Sequence, residues 1–271
     1  MEPAAARPNR HRSVPLPTPH SQYVYSVLVS TPAIILHAFP YGETSKILRL
    51  ATRDHGVQSV IAKGALRPRS RFSAGLQALS EGVAQFSLRP NRELFTLTGF
   101  DLANPHASLA RELPRFAAAA ALAELVLRFA ESEPQPDIFD ALAEGLEALC
   151  RSSRDRAPYT ALAVLWRQVA LLGFGPTVGG CVRCGKDLAE RAAFSLPEGG
   201  LLCARCGGNV GGTLDPDDRR ALAEFVAGSD DVPSLPANHV AAHRRLFVRF
   251  VQRHLADDRP MPALALWERL P

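Results

Sequence analysis

Long hydrophobic runs are missing from this 271-residue chain. A membrane-spanning helix needs about 18 or more consecutive apolar residues. The uncharged stretch Ser13 to Gly42 follows Arg7, Arg10 and Arg12, but Pro15, Pro17, Pro19, Pro32 and Pro40 interrupt it, and its clean apolar runs are only Val27 to Val29 and Ala33 to Leu36. A leader or anchor is therefore not expected, and the chain reads as cytoplasmic with no membrane partner. Cysteine is scarce. There are five, an odd number, with Cys150 alone in a helical pattern and the others in two Cys-x-x-Cys pairs, which argues against a disulfide framework and for metal in a reducing compartment. Also absent are a GxxxxGK(S/T) loop, a GxSxG elbow and an HExxH motif, so ATP hydrolysis, acyl transfer and zinc proteolysis lack their usual anchors. The eight histidines are scattered, and His243 and His254 read as surface or core-edge residues.

What is present is an ordinary globular mix, 46% hydrophobic and 21% charged, in a length that suits one large or two medium domains. The charge is uneven. Residues 1–100 hold 12 basic and 5 acidic side chains, a balance of +7, whereas the remainder holds 19 and 22, or −3. A polyanionic partner is expected to meet the N-terminal part.

Met1 to about Gln22 (residues 1–22) is rich in Pro, Arg and His and is expected to be disordered. Residues 23–102 then show short β-like runs at Ala33–His37, Ser45–Thr52, Val57–Ala62, Leu79–Leu88 and Leu94–Phe100. Pro40-Tyr41-Gly42, Asp54-His55-Gly56 and Arg89-Pro90-Asn91 supply turn residues between them. This pattern predicts a small β-barrel. Over residues 103–271 the period becomes 3.6. Asn104-Pro105 is expected to open the first helix. Leu122, Leu125, Val126 and Phe129 share one face of an Ala-rich helix, and Ile138, Leu142, Leu146 and Leu149 one face of the next. A third helix runs from about Tyr159 to Leu172 and stops at Gly173. Asp215 to Asp218 cap a short helix, and Asn238 opens another that reaches about Leu255. The predicted class is α+β, a barrel followed by a helical domain with a four-cysteine loop inserted at about 178–212.

Cys181-Val-Arg-Cys184 and Cys203-Ala-Arg-Cys206 are separated by 18 residues, the spacing of a zinc site built from two knuckles. Gly185, Gly207 and Gly208 suit the tight turns, and Phe194, Leu196, Leu201 and Leu202 suit a hairpin closing the loop. Four sulfurs fill the tetrahedral shell of Zn²⁺, so the metal is read as structural. A redox dithiol normally needs a single such pair at a helix start in a βαβ unit.

The second constellation is basic. Lys63, Arg67, Arg69 and Arg71 place four cations in nine residues without an acid. Alone, such a run is usually a solvated loop. Here Lys46, Arg49 and Arg53 precede it and Arg89 and Arg92 follow, all in the predicted barrel. With Phe72, Phe86 and Phe95 nearby, the set suits phosphate tracking plus base stacking on single strands, although phenylalanine in strands more often fills the core. On the last long helix Arg245, Arg249 and Arg253 recur at i, i+4, facing nucleic acid, an acidic partner or nothing.

The order of parts, together with Pro40-Tyr-Gly-Glu-Thr-Ser-Lys-Ile-Leu, Thr52-Arg-Asp-His-Gly and Ala62-Lys-Gly-Ala-Leu-Arg-Pro-Arg-Ser, closely resembles the DNA repair protein RecO family from about Ala33 onward. The resemblance implies an N-terminal OB-fold, a helical domain carrying the zinc loop, and no enzymatic activity. It implies binding of single- and double-stranded DNA and strand annealing. It also implies loading of RecA onto DNA coated by single-strand-binding protein, in concert with RecR, at the nucleoid. The Lys63 to Arg71 segment matches the family's DNA-contacting loop, and Cys181, Cys184, Cys203 and Cys206 match zinc ligands that only some members keep. The departure from the family is about thirty extra residues before the first expected strand. Readings from other classes are a zinc-dependent nuclease and an RNA-binding zinc-ribbon protein.

Overall fold

The run Ala33-Ile34-Ile35-Leu36 is apolar without alternation because both of its faces are covered: Ala33 and Ile35 join the interior of a barrel, while Ile34 and Leu36 join the core of the helices beside it. The computed structural model describes residues 26–72, 75–188, 191–208, 212–232, 234–257 and 259–270. The expected disordered extension at residues 1–22 lies outside them.

Five strands, β1 (Val27–Tyr41), β2 (Ser45–Thr52), β3 (Gly56–Ala62), β4 (Glu81–Leu88) and β5 (Leu94–Asn104), close in the order β1-β2-β3-β5-β4, an OB-like arrangement. The 15-residue β1 closes the barrel. It pairs with β4 along Val27–Ile34 and with β2 along Ala33–Tyr41, with a register shift between Ile35 and His37. The expected first strand, Ala33–His37, is therefore too short. Pro32 does not interrupt it. This proline lies where β1 passes from one partner to the other, and its carbonyl accepts the Arg53 N–H at 3.0 Å, a place where the missing N–H is tolerated. Leu48, Leu50, Val60, Phe86 and Leu97 fill the barrel.

Asn104-Pro105 does not start a helix. Asn104 ends β5, and its side-chain oxygen accepts the His106 N–H at 2.9 Å. The helices are α1 (Leu113–Phe129), α2 (Pro136–Arg151) and α3 (Ala157–Val169), the last continued by a turn that Gly173, at φ 89°, brings to an end. The Ala-rich α1 is buried nearly all round, from Ala117 to Val126, and is the central helix instead of an amphipathic one. Its alanines permit close approach of the surrounding elements. A small sheet follows, β6 (Ala192–Ser195), β7 (Gly200–Leu202) and β8 (Thr213–Leu214), with a short helical turn, α4 (Ala204–Gly207), between β7 and β8. The chain ends in α5 (Pro216–Ala227), α6 (Ala237–His254) and α7 (Pro262–Arg269). Asp215 caps α5 by accepting the Asp218 N–H at 2.9 Å. Sequence periodicity does not reveal α7, whose first free amides, Ala263 and Leu264, are capped by Glu124 of α1 at 3.0 and 3.1 Å.

The barrel sits on the helices through the β2–β3 turn. The Val57 N–H donates to the Glu131 carbonyl at 2.9 Å. Gly56, at φ 64°, leaves no room for a Cβ, which would lie 2.3 Å from the Glu133 carbonyl oxygen.

Candidate functional site

The cysteine loop folds as its spacing predicts. β6 and β7 pair with Phe194 opposite Leu201, and this hairpin brings the two knuckles together. The four Sγ atoms all lie within 4.8 Å of one another, and Cys184 and Cys203 are 3.8 Å apart. A tetrahedral Zn²⁺ with Zn–S bonds of about 2.3 Å requires S···S edges of about 3.8 Å. Backbone N–H groups of Cys203, Cys184 and Arg183 aimed at Cys181 pull its thiol down to about 6. Hydrogen bonding with Cys184 and Cys203 and the neighbouring sulfur charge push Cys206 up to about 12. Four sulfurs this close hold four charges only around a cation, so the donor set fits a metal ion. Arg183 fastens one knuckle to the other: it donates to Glu198 at 2.6 and 2.9 Å and to the Cys206 carbonyl at 2.9 Å. The loop docks on α6, where Phe194 meets Phe250 edge-on at 6.2 Å and a ring nitrogen of His254 lies 2.6 Å from the Leu196 carbonyl.

The cations are strung along the outer barrel wall instead of meeting at one point. Arg49 on β2 donates to the Ser59 hydroxyl on β3 at 2.8 Å, and Ser59 in turn pairs with Leu94 on β5. Past the end of β3, Lys63, Arg67, Arg69 and Arg71 are exposed. Their loop is pinned by the Leu66 N–H on the Thr44 carbonyl at 2.8 Å and by buried Phe72, with the Arg71 guanidinium 5.0 Å from its ring centre. Arg89 and Arg92, also exposed, sit on the β4–β5 turn, on the side of Ser59 away from Ala62. The wall is thus flanked at both ends by exposed cations with Arg49 between them. Besides Arg49, two of the nine are engaged within the protein. Lys46 donates to the Leu76 carbonyl at 3.0 Å, and Arg53 makes a two-pronged bond to Asp140 of α2, both prongs 2.9 Å. Phe72, Phe86 and Phe95 are buried barrel core, not an exposed stacking surface.

A third cluster is not evident from sequence. Asp218 holds two imidazoles, His239 Nδ1 and His243 Nε2, each at 3.0 Å. His243 is buried, so the expectation of a surface or core-edge residue is corrected for it. The available signal was the i, i+4 spacing of the two histidines on one helix.

Comparison with known proteins adds a family. A model described as "Recombination protein O N terminal" matches residues 27–106 and one described as "Recombination protein O C terminal" matches residues 110–261. The likeness therefore begins at residue 27, not near Ala33, in keeping with the longer β1. The chain is 30% identical over 231 residues to the DNA repair protein RecO of Rubrobacter xylanophilus, covering 84% of this chain and 90% of that one. It is 35% identical over 180 residues to its counterpart in Exiguobacterium sp., covering 66% and 70%. To that of Frankia casuarinae it is 31% identical over 202 residues, covering 73% and 81%.

Proposed function

This chain belongs to the RecO family of DNA repair proteins, and we propose that it works there as a non-enzymatic recombination mediator that holds single- and double-stranded DNA on its barrel and anneals complementary strands. The observation that carries this reading is the row of exposed cations, Lys63, Arg67, Arg69, Arg71, Arg89 and Arg92, whose side chains have no hydrogen-bond or ion-pair partner among the described residues. Together with Arg49 they line a wall on which a phosphate backbone displaces counterions. Lys46 and Arg53 hold the barrel to its loop and to α2, supporting that wall instead of touching DNA. Family membership supports RecR as a partner, the loading of RecA onto DNA coated by single-strand-binding protein as the outcome, and a cytoplasmic, nucleoid-associated setting. Among the described residues no helix is long and apolar enough to cross a membrane.

In the same reading Cys181, Cys184, Cys203 and Cys206 hold one structural Zn²⁺. Bound there, it neutralises the thiolates and fixes the loop against α6. Four sulfur donors complete its shell and leave no position for an attacking water, so the chemistry of a zinc nuclease is not part of the proposal.

The test is charge reversal, R67E/R69E/R71E, read by anisotropy on labelled single strands and by annealing of complementary oligonucleotides. Binding is expected to weaken by about a hundredfold. The slope of log affinity against log salt is expected to fall by about 0.7–0.9 for each phosphate that the variant no longer neutralises. Annealing at the parental rate by the folded variant overturns the proposal. Binding that prefers RNA in direct competition moves the protein to the RNA-binding class.

A further inference from the structure

We propose a second nucleic-acid site, specific for single strands, on the helical half: a strand laid along α6 with its phosphates on Arg245, Arg249 and Arg253 and a base in the cleft beside them. The proposal rests on the reading of this chain as a nucleic-acid binder and adds a site on a separate element, α6.

Three observations carry it. The arginines are exposed, and among the described residues none has a hydrogen-bond or ion-pair partner. Like charges at i, i+4 repel, so a helix that keeps three in a row bears a cost that an external anion removes. Successive members lie about 6 Å apart along the helix axis, a step that lets neighbouring guanidinia meet neighbouring phosphates of an extended strand. Finally, Arg245 and Arg249 flank a cleft of about 500 Å³ between α6 and the zinc-loop sheet, within the size range of small-molecule sites.

The lining of that cleft selects an unpaired base. Phe194, Leu196 and Leu246 give it apolar surface, and Thr213 and Asn238 offer hydrogen-bonding groups. Asp218 also lines it and keeps its charge, but each of its carboxylate oxygens is held by an imidazole at 3.0 Å, so the acid is fixed against α6 while the phosphates lie on the arginines. A duplex keeps its bases paired and presents only its backbone, which leaves the cleft empty. A single strand uses both features, one for charge and one to shelter the apolar surface of an unpaired base. Two strand-holding surfaces on one chain, barrel and α6, give annealing a physical basis: one strand on each.

The experiment compares R245E/R249E/R253E with the barrel variant R67E/R69E/R71E, using fluorescein-labelled oligo(dT) and a blunt duplex as probes, with circular dichroism and Tm as controls for folding. The α6 reversal is expected to weaken oligo(dT) binding about tenfold and to lower the salt slope by about 2, while the lysine version R245K/R249K/R253K retains most of it. A242W, which fills the cleft from an exposed position without touching a charge, is expected to lower affinity for oligo(dT) and spare the duplex. An unchanged affinity and salt slope in a folded α6 reversal overturns the proposal and leaves the stripe to an acidic protein surface. Equal losses for duplex and single strand overturn its strand specificity. If the α6 reversal loses binding and the barrel reversal does not, the barrel reading fails and this one stands; silence in both sinks both.

Discussion

In the helical half, three arginines are matched to glutamates a turn away: Arg115 to Glu112, Arg128 to Glu124 and Arg151 to Glu147, at 3.5, 3.5 and 2.7 Å. In the barrel, six exposed cations have no such side-chain partner among the described residues, and the ion pair that Arg53 does make leaves the barrel for Asp140 of α2. Exposed helical pairs add only a few tenths of a kcal/mol each, so the difference is not chiefly one of stability. It is a difference in field. Acid beside base cancels at a distance, whereas unpaired cations on one wall project positive potential into solvent and concentrate a polyanion there. Net charge by region points the same way, but pairing tells which cations are available, and the α6 stripe stands out in the helical half as three exposed arginines in a row at i, i+4, unpaired among the described residues.

The strongest way to break this comparison is to remove the metal. Reduced, freshly purified protein is expected to carry one zinc per chain by elemental analysis. Chelation is expected to unfold the loop from about Thr177 to Leu214, because metal-binding energy in such sites is folding energy. Hydrogen exchange should rise across that loop and stay slow in β1 to β5. Should chelation abolish barrel-dependent DNA binding to the same degree, the two halves are not separate in function and the contrast fails.

Next in size is Phe86→Ala. Phe86 is fully buried between His55 and Phe95, with ring centres 6.1 Å away in each case. Truncation is expected to cost about 3–5 kcal/mol in denaturant unfolding, with affinity per folded molecule unchanged. Lost affinity at unchanged stability would restore the aromatics to the interface and end the purely electrostatic account of the wall.

Smaller still is Asp140→Asn, which frees the one barrel arginine that is ion-paired among the described residues. Both partners are more than a third exposed, so the stability change is expected to be slight. The freed Arg53 adds a cation to the wall's end, and DNA affinity should rise, by no more than about twofold. A fall in affinity would show that Arg53 matters by orienting the barrel on α2.

What can be read from sequence follows the range of each interaction. The zinc loop is legible because ligand spacing is local and tightly constrained: knuckles and hairpin follow from residues 181–206, while the Phe194–Leu201 register comes from the fold. The five strands are legible as short β-like runs between turn residues, but the first half of β1, before Ala33, is not, because it is largely exposed and owes its strand conformation to β4, some fifty residues on. Helix α7 is illegible since Glu124, far away in sequence, supplies its cap. The availability of Arg67, as against the engagement of Arg53, is equally hidden. Both are arginines in a basic run, and only the packing of α2 against the β2–β3 turn sets Asp140 beside one and not the other.

The smallest effect separates the halves by pH. His243 lies buried on α6 with Asp218 on one side; burial holds its pKa below the usual histidine value, outweighing the upward pull of Asp218 and Asp215, while His239 adds to the lowering. With an unfolded-state pKa of about 6.5, the ring is neutral in both states at higher pH and contributes no pH dependence there. As pH falls below about 6.5 the unfolded chain takes a proton that the folded one refuses, so stability declines until pH passes the lower, folded pKa. Urea unfolding of wild type is expected to weaken from pH 7 toward pH 5, and His243→Gln, which keeps a donor for Asp218 but does not titrate, to flatten that decline. DNA affinity per folded molecule should stay level over the same range if the wall works through arginine and lysine, which remain charged throughout. An affinity that follows the stability curve would mean that the barrel's grip depends on the helical half, against the division drawn from pairing.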